Sequence, residues 1–346
     1  MIKRIVAVTS LIMTLVLLVS GCGSGQTGSG GTSGAGDAAA VSAALPDKIT
    51  MGYWESPNGE LLAKETGALE ALYPDIKIEW VEFQSGTDIL TAMQSGSLDF
   101  ATIGTPPVTM GIVNEYPFKV FYLHDVIGES EGLIVKNTSG ITDVEGIRGK
   151  TIAVPFGTTS HFAFLNILKA NNLEIADFNI LDMTGPDIFA AWQRGDIDGA
   201  YIWESVKSQL IEADGRQIVT SADAAEVGGL TAEVGIVSNS FYEQYPDIVR
   251  AYIDVLDEAV KDYRADPERA ADLMAPGLAL SVEDTTTAMN EIIVKDKSEQ
   301  KAYFADGGEL QKVLKDTGDF LYEQNSISRE PVQEVINAAL LSELYE

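Results

Sequence analysis

The 346-residue sequence predicts an α/β fold built from two similar lobes. Three observations predict it. Short apolar strand patterns alternate with amphipathic helical patterns along the first two thirds of the chain, which favours sheets covered by helices. The stretch Ala191–Ile202, AWQRGDIDGAYI, repeats Ala92–Ile103, AMQSGSLDFATI, at an offset of 99 residues, with Ala, Gln, Gly, an aliphatic, Asp, Ala and Ile in register. A second echo follows, EGLIVKN at Glu131–Asn137 and EVGIVSN at Glu233–Asn239, offset by 102. A G-x-[LI]-D junction between helix and strand is common enough to recur once by chance. Two echoes at nearly one spacing imply two related units.

The elements follow in order. Lys48–Tyr53 reads as a strand, 59–72 as one helix, and 77–83 alternates as a strand should. A helix over 88–95 leads to a strand at 98–103. Gly96 and Gly195 sit where each echoed helix must stop, and glycine supplies the left-handed backbone that closes a helix. Thr105 opens a helix with Pro106 and Pro107 in its first turn, where a missing N–H costs nothing. A strand at 118–123 completes the first unit, and this alternation predicts a mostly parallel sheet. The second unit repeats it, with strands at 151–154 and 179–182, helices at 161–170 and 186–194, and a strand closing at Trp203. Helical patterns dominate from Pro246 on, over 246–264, 267–274, 309–322 and 331–345.

The amino terminus reads as an address. Lys3 and Arg4 precede an apolar run from Ile5 to Val19, the length of a secretory leader and short for a membrane span. Leu18-Val19-Ser20-Gly21 then precedes Cys22, the sole cysteine of the chain, in the pattern of a lipoprotein cleavage site. Cys22 would carry diacylglycerol and its new amino group a further acyl chain, and multiple chains anchor stably where one alone is marginal. A single cysteine excludes intrachain disulfides. Residues 23–44 are rich in Gly, Ser, Thr and Ala and bury too little to order, so 22–46 reads as a flexible tether. The net charge of −29 argues against nucleic acid and against lying flat on anionic lipid.

The echo AAWQRGDIDGAYIW, together with TIAVPF at 151–156, FQSG at 83–86, GTPP at 104–107 and Ser130–Glu131, resembles the periplasmic substrate-binding proteins of ABC transporters, in the nitrate/sulfonate/taurine group. The resemblance covers roughly 48–303 and is strongest to the taurine-binding branch. It implies a two-lobe periplasmic binding protein fold of type II, with two crossing hinge strands and a ligand in the cleft. The division it implies is 1–21 leader, 22–46 tether, 47–132 plus 236–346 lobe one, and 133–235 lobe two, with crossings near 131–137 and 233–239. It also implies a membrane permease with a cytoplasmic ATPase as partner, an extracytoplasmic position anchored by lipid, and a monomeric receptor.

Candidate ligand residues cluster at predicted strand ends, where open α/β sheets bind small molecules. Thr158, Thr159 and Ser160 lie at a helix start, where hydroxyls and free N–H groups cradle an anion; His161 adjoins them. Simple N-capping would need only one of the three. Thr105 is the counterpart in lobe one, weakened by Pro106, with Ser56 and Asn58 as possible substitutes or ordinary turn residues. Glu233 stands where the resembled family has a carboxylate beside the ligand's amine, with Glu in place of the Asp of taurine-binding relatives. Glu131, its echo, is the symmetry mate and reads more readily as a hinge or surface residue than as a ligand contact. Tyr53, Trp54, Phe156 and Trp203 could cage an ammonium by cation–π attraction, or serve as rim packing.

Catalysis finds little support. His124 and His161 are the two histidines, Ser160 and His161 diverge on one helix, and no thiolate set for zinc, phosphate loop or dinucleotide fingerprint appears. The sequence therefore predicts a receptor without metal or cofactor for taurine or a similar small sulfonate. The alternatives are another small anion (an alkanesulfonate without an amine, nitrate, a carboxylate) and, more remotely, an extracytoplasmic enzyme.

Overall fold

The structure, a computed structural model, describes residues 45–346. The expected leader, Cys22 and nearly all of the tether lie outside the described residues.

The first segment runs β1 (Lys48–Tyr53), α1 (Gly59–Glu65), α2 (Ala68–Leu72), β2 (Lys77–Glu82), α3 (Gly86–Gln94), β3 (Phe100–Gly104), α4 (Thr105–Val113) and β4 (Phe118–Ile127). The helix expected over 59–72 is two helices, because Gly67 adopts φ 64° and turns the chain between them. The second segment runs β5 (Glu131–Lys136), β6 (Thr151–Val154), α5 (Thr159–Ala170), β7 (Asn179–Asp182), α6 (Gly185–Arg194), β8 (Gly199–Trp203), α7 (Val206–Glu212), β9 (Gly215–Thr220) and α8 (Ser221–Glu226). The third returns through β10 (Ala232–Ser238) and continues as α9 (Asn239–Gln244), α10 (Pro246–Ala265), α11 (Pro267–Leu278), α12 (Val282–Asn290), β11 (Ile292–Val294), α13 (Lys297–Phe304), α14 (Glu309–Glu323) and α15 (Gln333–Ala339).

Two sheets result, ordered β11-β4-β10-β3-β1-β2 and β7-β6-β8-β5-β9. Reading the second backwards gives the first without β11, with β5 in the place of β10 and β8 in the place of β3. The two echoes are these equivalent strands. The register agrees: Glu131 pairs with Trp203 across β5 and β8, and Glu233 pairs with Gly104 across β10 and β3. The echoed aspartates have one job in both sheets. Asp99 accepts the Thr50 N–H at 2.8 Å, and Asp198 accepts the Thr151 N–H at 3.0 Å, each fastening the start of a neighbouring parallel strand. Gly96 and Gly195 take φ 72° and 81° at the ends of the preceding helices.

Both sheets are mixed rather than mostly parallel. β1, β2 and β3 are parallel, as are β6, β7 and β8, but β10 and β5 run antiparallel to their neighbours. The cause is the connection: the chain changes sheets in extended segments instead of helical crossovers, so each returning strand enters reversed. The changes fall at 128–130 and 227–231, with the Ile127 N–H donating to the Thr231 carbonyl at 3.0 Å. Ala232–Gly235, expected in the second lobe, therefore pair within the first sheet.

An aromatic core around Phe100, Phe121, Phe241 and Tyr252 fills the first lobe, with α9 and α10 packed on it. The second sheet is covered on one face by Phe164, Leu168 and Tyr201 and on the other by Ile188, Trp192 and Leu210. Phe320 of α14 crosses to the second lobe and meets Phe162 edge-on at 5.1 Å. Among the described residues, no helix is long and apolar enough to cross a membrane.

One buried cation ties the lobes at the crossing. Lys207 of α7 is 1% exposed. Its Nζ donates to Glu291 Oε2 at 2.6 Å and to the Glu129 carbonyl at 2.9 Å, and lies 2.9 Å from Glu204 Oε1. Removing one partner of a buried pair leaves the others uncompensated, at a cost of about 3–5 kcal/mol. We expect Lys207→Met to lower urea stability by that order, and a second change, Glu291→Leu, to recover part of the loss.

Candidate functional site

A cavity of about 570 Å³ lies between the sheets, at the carboxyl ends of β1, β2 and β3 on one side and of β6, β7 and β8 on the other. Strand order places helix starts there as well. The N-terminal residues of α3 (Ser85, Gly86), α5 (Thr158, Thr159) and α6 (Thr184, Gly185) all line it. Each such terminus presents unpaired N–H groups and about half a positive charge. Trp54 and Trp203 supply aromatic walls, one from each lobe.

Acids dominate the lining. Glu55, Glu82, Asp125, Glu131, Glu204 and Glu233 face the cavity, and among the described residues no Lys, Arg or His does. Asp125 and Glu233 are cross-strand partners on β4 and β10, and Glu131 comes from β5 of the other lobe. They are 1%, 8% and 3% exposed. Burial pushes the Asp125 and Glu131 carboxyls up to about 7. The Asn58 amide holds Asp125 down in part, donating at 2.9 Å, while the nearby Glu131 and Glu60 charges raise it further. Burial, reinforced by Asp125, Glu131 and Glu60, holds the Glu233 proton well above the usual carboxylate range.

The three acids differ in what satisfies them. Glu131 is gripped at both oxygens, by the Thr159 hydroxyl on Oε1 and by the Ser221 hydroxyl on Oε2 at 3.0 Å. Glu233 Oε2 and Asp125 Oδ1 are buried without any hydrogen-bond partner. Unpaired buried oxygens of this kind are costly and mark a place where a donor belongs.

Of the residues expected from sequence, Ser56, Thr158, Thr159, Trp203 and Glu233 line the cavity. The three consecutive hydroxyls divide the labour. Thr158 caps α5, accepting from the His161 N–H at 3.3 Å and donating to the Pro155 carbonyl at 2.7 Å. Thr159 orients Glu131, and Ser160 is buried behind the wall. With the Thr158 and Thr159 hydroxyls engaged, the donors of α5 left for an anion are its first N–H groups and the buried Ser160 hydroxyl, which has no partner.

The structure does not bring Thr105, Phe156, Tyr53 or His161 to the cavity. Thr105 is fully buried, its Oγ1 accepting the Ala232 N–H at 3.3 Å as a tie between the start of α4 and β10. Phe156 is 44% exposed and stacks on His161 at 4.4 Å, and burial lowers that imidazole to about 4. Tyr53 packs against Trp80 with Lys64 over its ring, and the next residue, Trp54, takes the cavity position.

Asp125 was missed, although an acid inside the apolar run of β4 was a readable sign, since buried charge is rare without a use. Glu131, which the sequence favours as a hinge or surface residue, lines the cavity. Ser85, within the FQSG motif, starts α3 without having been singled out as a ligand residue, and Thr184, which starts α6, carries no pattern beyond a capping residue.

The raised carboxyls have a consequence for the ligand-free protein. Above the unfolded carboxylate range the folded state keeps protons that the unfolded chain releases, so stability falls as pH rises through the folded pKa. Glu60, buried behind the site and also pushed to about 7, acts in the same direction. His124, lowered to about 3, and His161 act oppositely, gaining stability up to the ordinary histidine range. From pH 6.5 to 8 the carboxyls dominate. We expect the melting temperature to fall over that interval, and Glu233→Gln to flatten the slope.

The NMT1/THI5-like family model matches residues 50–270. The taurine-binding periplasmic protein of Escherichia coli is 36% identical over 206 residues, which is 60% of this chain and 61% of that protein. The match thus spans less than two thirds of that relative's length. The periplasmic aliphatic sulphonate binding protein SsuA of Escherichia coli superposes with a TM-score of 0.72 at 23% identity, over 87% of this chain and 99% of the other. The desulfurization enzyme DSZB superposes at 0.62 with 18% identity, over 85% and 99%. The architecture is therefore the periplasmic binding protein fold, which houses both receptors and an enzyme and does not decide function by itself. With the family model covering well over half its length, the chain belongs to the NMT1/THI5-like family.

Proposed function

We propose that this protein is the extracytoplasmic solute receptor of an ABC importer. It takes taurine or a similar small aminosulfonate between its lobes and delivers it to a membrane permease. One observation carries the reading: the cavity wall combines buried carboxyls with helix N-termini and no basic side chain. A purely anionic guest would meet Asp125 and Glu233 with no basic side chain in the lining to offset them. A zwitterion supplies the missing cation to the acids and presents its sulfonate to the helix starts, where N–H groups and dipoles stabilise negative charge. Trp54 and Trp203 suit an ammonium, since a desolvated cation over an indole gains about 2 kcal/mol. The similarity to a taurine-binding relative supports the same choice.

Function follows from contact with both lobes. A guest held by Glu233 and Asp125 on one side, and by Glu131 and the α5 start on the other, favours the closed arrangement by its differential contacts. Anchoring through an acylated Cys22, and action as a monomer, complete the proposal.

The second reading is an alkanesulfonate without an amine, favoured by the shared fold with the sulphonate-binding protein. It would require the buried carboxyls to stay protonated in the complex. The two readings differ in calorimetry. For a zwitterion, Glu233→Gln weakens taurine about a hundredfold, in line with the 2–5 kcal/mol cost of breaking a buried charge pair, and changes ethanesulfonate less than threefold. Equal loss for both ligands overturns amine recognition, and turnover of either ligand overturns the receptor reading.

Protonation of the acids competes with the ammonium, so the sign of the pH effect on binding is fixed. Taurine affinity should rise several-fold from pH 6 to pH 8, measured as Kd at constant ionic strength. A flat profile counts against the acids as the cation site.

A further inference from the structure

We infer that Asn58, a buried residue behind the cavity wall, is a positioning residue for the ligand's amine: its side-chain amide holds one oxygen of Asp125, supports that group as an anion and leaves the other oxygen for the guest. This inference rests on the aminosulfonate reading above and names what sets the pH range over which the amine is recognised.

The first ground is that the amide can face only one way. Asn58 caps α1, its Oδ1 accepting the Glu60 N–H at 3.0 Å and the Leu61 N–H at 3.3 Å. A flipped amide would leave both N–H groups without that acceptor and set oxygen against carboxylate, so Nδ2 must face Asp125. It donates to Asp125 Oδ2 at 2.9 Å, and among the described residues that is the sole hydrogen bond to this carboxyl. Oδ1 stays bare, on a residue that lines the cavity. The two helix N–H groups also polarise the amide, which strengthens its own donation.

The second ground is that no other group facing Asp125 takes over this task. Glu233 lies opposite on β10, and Glu131 of β5 and Glu60 of α1 add like charge. Glu60 is itself engaged, accepting from the Thr102 hydroxyl and from the Tyr252 hydroxyl at 2.8 Å. Tyr263 of α10 also bears on Asp125, but its hydroxyl donates to the Met289 carbonyl at 2.9 Å. On β11 the paired residue is Val294, which carries no charge. The third ground is the kind of donor. A neutral amide favours the carboxylate without cancelling its charge, whereas a lysine or arginine in its place would neutralise the site before the guest arrived.

The test is calorimetric titration of the purified protein with taurine and with ethanesulfonate from pH 6 to pH 8.5, comparing the parent with Asn58→Ser at each pH. Serine caps a helix about as well as asparagine but lacks the amide donor. Losing a donor to the charged form raises a carboxyl's pKa. At pH 6 the variant should therefore bind taurine about tenfold more weakly. The gap should close to less than threefold at pH 8.5, where Asp125 is ionised in both proteins. Ethanesulfonate should bind the variant no more weakly than the parent. Asn58→Gly, a second tolerated cap, reads the same donor where serine impairs folding. No loss of taurine affinity, a loss equal for both ligands, or a loss constant across pH makes Asn58 a helix cap alone and overturns the inference, while the receptor reading stands. If the parent does not bind taurine, the aminosulfonate reading falls and the inference falls with it.

Discussion

Everything at the centre of this molecule depends on burying carboxyl groups without a protein cation to meet them. Asp125, Glu131 and Glu233 converge from three strands of two sheets. Dry burial of a carboxylate is prohibitive, and such groups respond by holding protons or by acquiring a partner. The fold tolerates the arrangement because the acids face a cavity rather than a core. In the proposed mechanism their desolvation is completed by closure over the guest, and the cation of a zwitterion lowers the cost of closing. In the proposed complex the coupling between occupancy and lobe position needs no relay, since one guest meets Asp125 and Glu233 of the first lobe and the starts of α5 and α6 of the second.

Duplication explains how these groups came together, and asymmetry explains why they are not redundant. Glu131 and Glu233 hold equivalent places beside the central strand of each sheet. Their neighbours differ. Opposite Glu131 stands Trp203, and opposite Glu233 stands Gly104, where a Cβ would come within 2.7 Å of the Thr159 methyl of the other lobe. Glycine at 104 is thus what lets the start of α5 rest on the first lobe. That approach brings the Thr159 hydroxyl to Glu131 and saturates one oxygen, while Ser221 takes the other. Glu233 receives no such grip on Oε2. One acid is fixed as scaffold and the other is left for the guest.

Much of the architecture was legible because it is local. Gly96 and Gly195 mark helix ends through backbone freedom, and Asp99 and Asp198 recur because each fastens a parallel strand. The lobe symmetry could therefore be read from a single line of text repeated. The mixed sheets were not legible, since reversal of β5 and β10 depends on the path between sheets rather than on any residue of either strand. The site was legible in part. Ser56, Thr158, Thr159, Trp203 and Glu233 stand at strand ends and helix starts, where chemistry and position agree. Which of three adjacent hydroxyls faces the cavity depends on helical phase against a neighbouring lobe, and sequence carries no signal for that. Asp125 was hidden for the opposite reason: it sits inside an apolar strand, and its partners come from segments distant in the chain.

The placement of Lys207 shows how the acidic character of the cleft is maintained. A lysine is available near the cavity, and Glu204 at the wall is one of its partners. Its charge is nonetheless held at the crossing by Glu291 and by the Glu129 carbonyl. Those contacts bind lobe to lobe, and they keep the ammonium away from Asp125 and Glu233. Were the same lysine to swing into the cavity, it would neutralise the acids and compete with any cationic guest. The tie at the crossing thus does two things at once: it fixes how the lobes meet, and it leaves the cleft lining without a basic side chain, as the proposed zwitterionic ligand requires.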